Sequence, residues 1–280
     1  MKDFIINIIN GIIFGVSNVI PGVSGGTMAI IFNFYDVLTE SITLNFKVLI
    51  KNIKFIIPFG IGIIVGIIGF STLIDYLISN HTQHTYFGLI GIVLGSIPLI
   101  LFKAKRAGDL TIKSWIPFII TLIIMIVISM QPSVESGSIL FTTLNVQSFI
   151  MLFIGLTIAA ATMIIPGISG SLMLVIMGLY TTIIAEVIGN FNFELMIPTL
   201  LGIACGLLGG AKLITILLKK YTQLTYMAIF GLVIGSIIPL WQETNFSFIF
   251  DINIIISLIS MLITFIIVYS FSKYEINKDK

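Results

Sequence analysis

Charged residues are scarce in this sequence: only 9% of its 280 residues are Asp, Glu, Lys or Arg, while 58% are hydrophobic. A soluble domain of this size needs far more charge on its surface. The mean hydropathy is +1.17, and runs such as 55–78 and 252–272 reach the roughly 20 residues that a helix needs to cross a bilayer. These values predict an all-α, polytopic membrane protein.

Three further residue types are nearly absent. A single cysteine, Cys205, excludes a disulfide framework. The only arginine, Arg106, falls in a predicted loop, and so do the two histidines, His81 and His84. Because these groups are so few, we predict no catalytic residues, no metal site and no cofactor.

Two short runs interrupt the apolar sequence at related places. Pro21–Thr27 reads Pro-Gly-Val-Ser-Gly-Gly-Thr, and Pro166–Ser171 reads Pro-Gly-Ile-Ser-Gly-Ser. Each breaks what would otherwise be one long helix. Lipid cannot satisfy the backbone groups freed by such a break, so each turn must face protein, water or a ligand.

The two runs belong to a longer internal repeat. A shift of 145 residues aligns Pro21, Gly22, Ser24, Gly25, Met28 and Tyr35 with Pro166, Gly167, Ser169, Gly170, Met173 and Tyr180. A shift of 140 aligns 57–97 with 197–237, and 18 of these 41 positions are identical. Apolar bias does not explain the Thr-Gln-x-Thr-Tyr run shared by 82–86 and 222–226.

Each repeat is predicted to contain a broken-helix hairpin and three spans. The first covers 1–130, with a hairpin at 4–44, a surface helix at 45–54 and spans at 55–78, 85–102 and 114–130. The second covers 147–272, with a hairpin at 147–188 and spans at 195–218, 225–240 and 252–272; a cytoplasmic tail covers 273–280. Three spans carry the chain across the membrane, so the repeats have inverted topology. The chain returns to the same side of the membrane whether the two hairpin arms cross it fully or only re-enter it. The short first arms favour re-entrant hairpins.

The distribution of basic residues predicts the orientation. With a cytoplasmic N-terminus, the following residues all lie inside: Lys2, Lys47, Lys51, Lys54, Lys103, Lys105, Arg106, Lys113, Lys219, Lys220, Lys273, Lys278 and Lys280. The predicted outer loops at 79–84, 131–146, 189–194 and 241–251 contain no Lys or Arg. Both termini are therefore expected in the cytoplasm.

The composition of the two turns is typical of an anion site, above all for phosphate. Free N–H groups at a helix start, a favourable helix dipole and nearby hydroxyls attract negative charge. The predicted phosphate-binding residues are Ser24, Gly25, Gly26, Thr27, Ser169, Gly170 and Ser171. The supporting residues are Asn18, Pro21, Gly22, Pro166 and Gly167. The alternative is that each turn serves only for tight helix packing.

Few ionisable residues lie inside the apolar segments, and such residues are functional candidates. Asp36 and Glu40 share a helix face after the first turn, and Glu186 lies near the equivalent place in the second repeat. They take part in proton coupling, hold a structural hydrogen bond, or lie at the membrane interface. Lys212 either serves as a counter-charge for phosphate or, as we expect, extends to the cytoplasmic surface.

The run Asn18–Thr27, with Tyr35-Asp36 behind it, resembles the signature of the polyprenyl-phosphate transporter (PopT) family, and Ile165–Ser171 resembles its second signature. The chain departs from the pattern at Asn18, where an acidic residue is common, and at Asn33 and Phe34, where a glycine is common. The resemblance implies a flippase of the bacterial cytoplasmic membrane. Such a protein returns undecaprenyl phosphate from the outer to the inner leaflet for reuse in cell-wall synthesis.

Two alternatives stay open. A membrane-embedded polyprenyl-pyrophosphate phosphatase also has inverted repeats, but its turn carries an arginine where this chain has Gly25 and Gly170. A transporter of a small water-soluble anion would use the same turns. The expected partners are the membrane and a polyprenyl phosphate lipid, with no nucleic acid; a homo-oligomer is left open.

Overall fold

A computed structural model describes residues 2–19, 24–130, 139–244 and 252–278, which form helices and connecting turns without any strand. The first half contains α1 (Lys2–Val19), α2 (Gly25–Ile31), α3 (Tyr35–Ser41), α4 (Phe46–Lys51), α5 (Ile53–Asn80), α6 (Thr82–Arg106) and α7 (Trp115–Ser129). The second half contains α8 (Val146–Ile164), α9 (Gly170–Ile176), a π-helical segment (Thr182–Gly189), α10 (Phe193–Lys220), α11 (Thr222–Gly235), α12 (Ile237–Gln242) and α13 (Ile252–Lys278).

Seven helical stretches within these ranges are long and apolar enough to cross a membrane. They are α5, α6, α7 with the short 3₁₀ turn before it, α8, α10, α11 with α12, and α13. Large apolar side chains on α5, α7 and α13 are exposed, as expected for helices that contact lipid. The prediction of an all-α, polytopic membrane protein is confirmed.

Corresponding helices of the two halves pair in the same way. α1 packs on α5, and α8 packs on α10; a Cβ atom at Gly62 or at Gly206 would collide with the backbone of the partner helix. α6 packs on α13 and α11 packs on α7, with Gly91 and Gly231 at the two contacts. The last spanning helix of each half therefore packs against the other half, as close approach at small residues allows. The inverted orientation of the halves in a membrane stays a prediction.

The second arm of each hairpin is broken once more, which the sequence pattern did not reveal. The second arm of the hairpin predicted at 4–44 consists of α2 and α3, separated at Asn33, whose φ is 56°. Its equivalent, Gly178, has a φ of 70° and separates α9 from the π-helical segment. The backbone N–H of Phe34 donates to Ala29 O and that of Leu179 to Leu174 O, both at 2.9 Å. A residue in the left-handed region ends a helix in this way, and asparagine and glycine are the residues that adopt it most readily.

Candidate functional site

The turn before α2 and the turn before α9 contact each other directly. The Ser24 hydroxyl donates to the carbonyl of Ile165 at 3.2 Å, and the backbone N–H of Gly167 donates to Thr27 Oγ1 at 2.8 Å. Gly26 lies so close that a Cβ atom there would be 2.5 Å from the carbonyl oxygen of Ile164. The two signature runs, about 140 residues apart in the chain, thus form one structural unit.

A buried tyrosine strengthens this contact. The Tyr35 hydroxyl, at the start of α3, donates to the carbonyl of Ile164 at 2.9 Å, and only 1% of its side chain is exposed. Ile164 is the last residue of α8, where a carbonyl has no intrahelical partner. Tyr35 therefore holds the second arm of the first hairpin against the end of the first arm of the second.

Both turns place a serine at the N-cap of a short helix, but neither serine caps it. Ser24 and Ser169 have the extended backbone of an N-cap, with ψ near 129° and 127°, and neither side chain accepts a capping hydrogen bond from a backbone N–H of its helix. An N-cap serine usually accepts a hydrogen bond from a first-turn N–H. Here the Ser169 hydroxyl lies 2.8 Å from the Ser171 hydroxyl instead. The first-turn N–H groups of α9 are therefore left without a side-chain cap.

A cavity of about 520 Å³ lies beside the second turn, and we call it the central cavity. Its walls come from α1, α3, α5, α8, α9 and α10 and are mostly apolar. Its polar groups are Asn18, Ser41, Ser169, Gly170 and Ser171. The cavity is within the range of about 300–1,000 Å³ that holds small ligands in proteins. Its shape and chemistry suit a ligand with a small polar head and an apolar body.

Each turn packs closely against the helix that precedes it, and the two contacts involve equivalent positions. A Cβ atom at Gly25 would meet Asn18 Nδ2 and the Phe14 ring at 2.7 Å, and one at Gly170 would meet Ala159 O at 2.8 Å. Phe14 and Ala159 are equivalent positions in the 145-residue repeat. Asn18 donates to the carbonyl of Phe14 at 2.7 Å and lines the central cavity.

The supporting residues of the second turn are buried against α11. Pro166 and Gly167 are both buried, and Gly167 has a φ of 92°, which an L side chain rarely adopts. A Cβ atom there would also be 2.6 Å from the backbone of Leu232. The predicted supporting residues of the first turn, Pro21 and Gly22, lie outside the described residues.

The three candidate carboxylates lie away from the central cavity. Glu40 pairs with Lys219 at 3.0 Å, and both side chains are largely exposed. Asp36 is exposed as well and lies with Glu40 along a smaller cavity of about 300 Å³. Glu186, in the π-helical segment, accepts a hydrogen bond from Asn190 at 3.1 Å. None of these groups touches the Ser169–Ser171 hydroxyl pair.

Two polar contributions to this region have no signal in the sequence pattern. Ser41 lines the central cavity, and its hydroxyl donates to Val37 O at 2.6 Å. Tyr35 follows the first signature run, but nothing in the sequence indicates that its hydroxyl joins the two hairpins. The repeat aligns Tyr35 with Tyr180, but Tyr180 is 43% exposed. The repeat alone would therefore wrongly suggest that the two tyrosines have the same buried role.

These helices and the two joined hairpins define a multi-pass membrane protein with a largely apolar interior cavity. Residues 14–250 match the profile of a family described as VCA0040-like, undecaprenyl phosphate translocase-like, and the chain belongs to this family. It is 32% identical over 272 residues to a polyprenyl-phosphate transporter of Staphylococcus aureus (strain NCTC 8325 / PS 47), covering 94% of each chain. It is 26% identical over 257 residues to a polyprenyl-phosphate transporter of Vibrio cholerae serotype O1, covering 85% of this chain and 78% of the relative. No solved structure matches the chain significantly.

Proposed function

We propose that this protein transports a polyprenyl phosphate lipid, undecaprenyl phosphate in particular, across the bacterial cytoplasmic membrane. The observation that carries the proposal is the central cavity, whose walls are apolar and whose polar end is the turn at Ser169, Gly170 and Ser171. The names of the two relatives and the family description support the same class of substrate.

The mixed character of the cavity favours a lipid phosphate over a small water-soluble anion. A free anion would lose its hydration shell against apolar walls without gaining contacts there. A prenyl chain has no hydration shell to lose, because it comes from lipid that is as apolar as the walls of the cavity. A cavity of about 520 Å³ is too small for a whole polyprenyl chain, so most of the tail stays in lipid.

The phosphate contacts come from neutral groups. Ser169 and Ser171 provide hydroxyl donors, and the first-turn N–H groups of α9 provide backbone donors. Asn18, across the cavity, provides an amide. No arginine or lysine lines this cavity among the described residues. Neutral donors bind phosphate without holding it as tightly as a cluster of cations, so that release stays fast.

The first turn, with Ser24, Gly25, Gly26 and Thr27, has matching chemistry but no free face in this conformation. Its two hydroxyls are used in contacts with the second turn. We therefore place its phosphate contacts in a second conformation in which the turns move apart. Inverted-repeat transporters alternate between two such arrangements around a site near the bilayer midplane.

For the direction we propose what the family resemblance implies, and for the orientation what the distribution of basic residues predicts. The lysine-rich ends of the spans face the cytoplasm, the hairpins re-enter, and the lipid moves from the outer to the inner leaflet for reuse in cell-wall synthesis. The candidates for proton coupling are Asp36 and Glu40, which are exposed, and Glu186, which is partly buried. In cells, depletion of this protein should increase the undecaprenyl phosphate accessible at the outer surface, and a decrease would reverse the proposed direction.

The decisive experiment uses purified protein in liposomes that contain a polyprenyl phosphate. A membrane-impermeant phosphatase added outside removes phosphate only from lipid in the outer leaflet. With active protein, we expect the digestion to continue into the inner-leaflet pool; without protein, it stops. Digestion that stops equally early in both samples would overturn lipid transport.

The same liposomes separate the alternatives. Phosphate release without added phosphatase, from a polyprenyl pyrophosphate, would identify an enzyme. Uptake of a labelled small anion that polyprenyl phosphate does not inhibit would identify an anion transporter. The matched control for the turn variants is Cys205→Ala, since Cys205 is exposed on the outside of α10.

A further inference from the structure

A second cavity of about 560 Å³ lies between α3, α4 and α10, and we call it the basic cavity. Its charged and polar lining includes Lys51, Lys212, Lys219, Glu40, Asn52 and Thr215. The three ammonium groups less the one carboxylate leave an excess of two positive charges. This balance contrasts with the central cavity, where all polar groups are neutral.

The two cavities adjoin along the same helices. α3 contributes Leu38 and Ser41 to the central cavity and Thr39 and Glu40 to the basic cavity. α10 contributes Ile203 and Leu207 to the first and Leu208 and Lys212 to the second. Ile42 lines both. A head group that leaves the central cavity past Ile42 would therefore enter the basic cavity.

Lys212 is not required by the repeated architecture. It lies in α10, a helix long enough to span a bilayer, where an ammonium group is unfavourable unless it finds water or a partner. The equivalent residue in α5, at a shift of 140, is Thr72. The cation therefore marks one side of the molecule, the side on which Lys51 and Lys219 also lie.

We propose that the basic cavity is a second binding site for a phosphate monoester head group, reached after the central cavity; this inference rests on the proposed transport of a lipid phosphate. A phosphate monoester carries a charge of about −1.5 to −2 at neutral pH, which matches the excess of positive charge. Lys212 and Lys51 contact the phosphate, and the phosphate competes with Glu40 for Lys219, which lies 3.0 Å from that carboxylate. Asp36, in the adjoining smaller cavity beyond this ion pair, opposes the anion and limits its affinity.

The test measures binding of a short-chain prenyl phosphate, farnesyl phosphate, to the purified full chain in detergent. The Ser169→Ala/Ser171→Ala double variant weakens the central site and leaves the basic cavity intact. In that background we expect Lys212→Gln to weaken the remaining binding by about 5- to 20-fold. The salt dependence of that binding should also decrease, because one of three salt-screened lysine–phosphate interactions is lost. Lys212→Arg should restore most of the binding.

Lys220→Gln is the matched control, because Lys220 is an exposed lysine near the same end of α10 that does not line the cavity. Lys51→Gln provides a second variant, should Lys212→Gln fold poorly in a melting assay. Equal binding by the Lys212→Gln, Lys51→Gln and Lys220→Gln proteins would overturn the second site while the proposed transport stands. No binding of farnesyl phosphate to the wild-type chain would overturn both.

Two further ligands identify the source of the phosphate. Inorganic phosphate that displaces farnesyl phosphate at equal concentration would show a site for free phosphate rather than for a lipid head group. Phosphatidylglycerol, a phosphodiester lipid added in mixed micelles, tests for a general contact with anionic lipid. An equal loss of phosphatidylglycerol binding and farnesyl phosphate binding in Lys212→Gln would overturn the proposal.

Discussion

The two hairpins have closely similar turn sequences, but their surroundings differ. Every residue of α2 in the first hairpin is buried, and both hydroxyls of its turn bond to the second hairpin. In α9 only Gly170 is buried, and the hydroxyls of Ser169 and Ser171 pair with each other beside the central cavity. In this conformation the first turn is a support and the second is the candidate binding surface. A repeated motif therefore does not imply a repeated role in any single conformation.

The largest expected effect comes from a bulky substitution that pushes the two turns apart. In Gly26→Val, the new side chain meets the backbone of Ile164 and Pro166, which cannot rotate away. Overpacking costs about 1–3 kcal/mol where side chains can adjust, and here we expect more, with loss of monodisperse protein on size exclusion. Gly209→Val is the control, since a Cβ atom there has no neighbour within 4 Å. A Gly26→Val protein as stable as Gly209→Val would show that the tip contact is dispensable.

The second effect concerns binding at the cavity-facing turn. In Ser169→Ala/Ser171→Ala, loss of hydrogen bonds to a charged phosphate should weaken polyprenyl phosphate binding about 10- to 100-fold, with little change in melting temperature. Ser24→Ala should have a smaller effect, because Ser24 donates to Ile165 instead. Cys205→Ala and His81→Ala should have none. Equal losses for Ser24→Ala and the double variant would mean that both turns bind phosphate alike.

The third effect concerns stability at the supporting turn. Thr27→Val keeps the side-chain shape but leaves the buried N–H of Gly167 without its acceptor, which should lower stability by about 1–3 kcal/mol. Thermal unfolding in detergent measures the change, and Thr27→Ser, which keeps the hydroxyl, should restore it. Binding per folded molecule should stay close to that of the wild type. If Thr27→Val instead lost binding with unchanged stability, the roles of the two turns would have to be exchanged.

The smallest expected effect comes from replacing a carboxylate in the second arm of either hairpin, Glu40 or Glu186. The pair of Glu40 and Lys219 has side chains that are 45% and 68% exposed, so Glu40→Gln should change stability by less than about 1 kcal/mol. If Glu40 couples transport to protons, the rate of lipid transport by Glu40→Gln should respond less to a pH gradient across the liposome membrane than the wild-type rate does. Glu186→Gln is the comparison from the other hairpin. An unchanged response in Glu40→Gln would remove Glu40 from proton coupling.

Several parts of the fold were accessible from sequence because they depend on local chemistry. The length of the apolar runs predicted the membrane-spanning helices, and the matching of 57–97 with 197–237 predicted that the two halves contain corresponding spans. The second break in each hairpin was missed. Asn33 and Gly178 end their helices through a left-handed backbone, which leaves the apolar pattern unchanged.

The candidate site was only partly accessible. The turns could be recognised as phosphate-binding candidates from Ser24 and Ser169, but those two serines are alike in sequence. The cavity beside Ser169 is formed by helices from both halves, and no local pattern records it. The basic cavity likewise joins Lys51 and Lys212, which belong to different halves of the chain.

The amino-acid sequence is sufficient to predict that this chain crosses the membrane repeatedly and that its helices break at two matching places. Both features depend on local sequence: the length of each apolar run predicts a span, and proline, glycine and serine within a few residues of each other predict a break. Only the tertiary structure decided which hydroxyls are engaged and which lie beside a cavity. The bond from Ser24 to Ile165 joins residues 141 positions apart, and it forms because helix packing brings their two segments together.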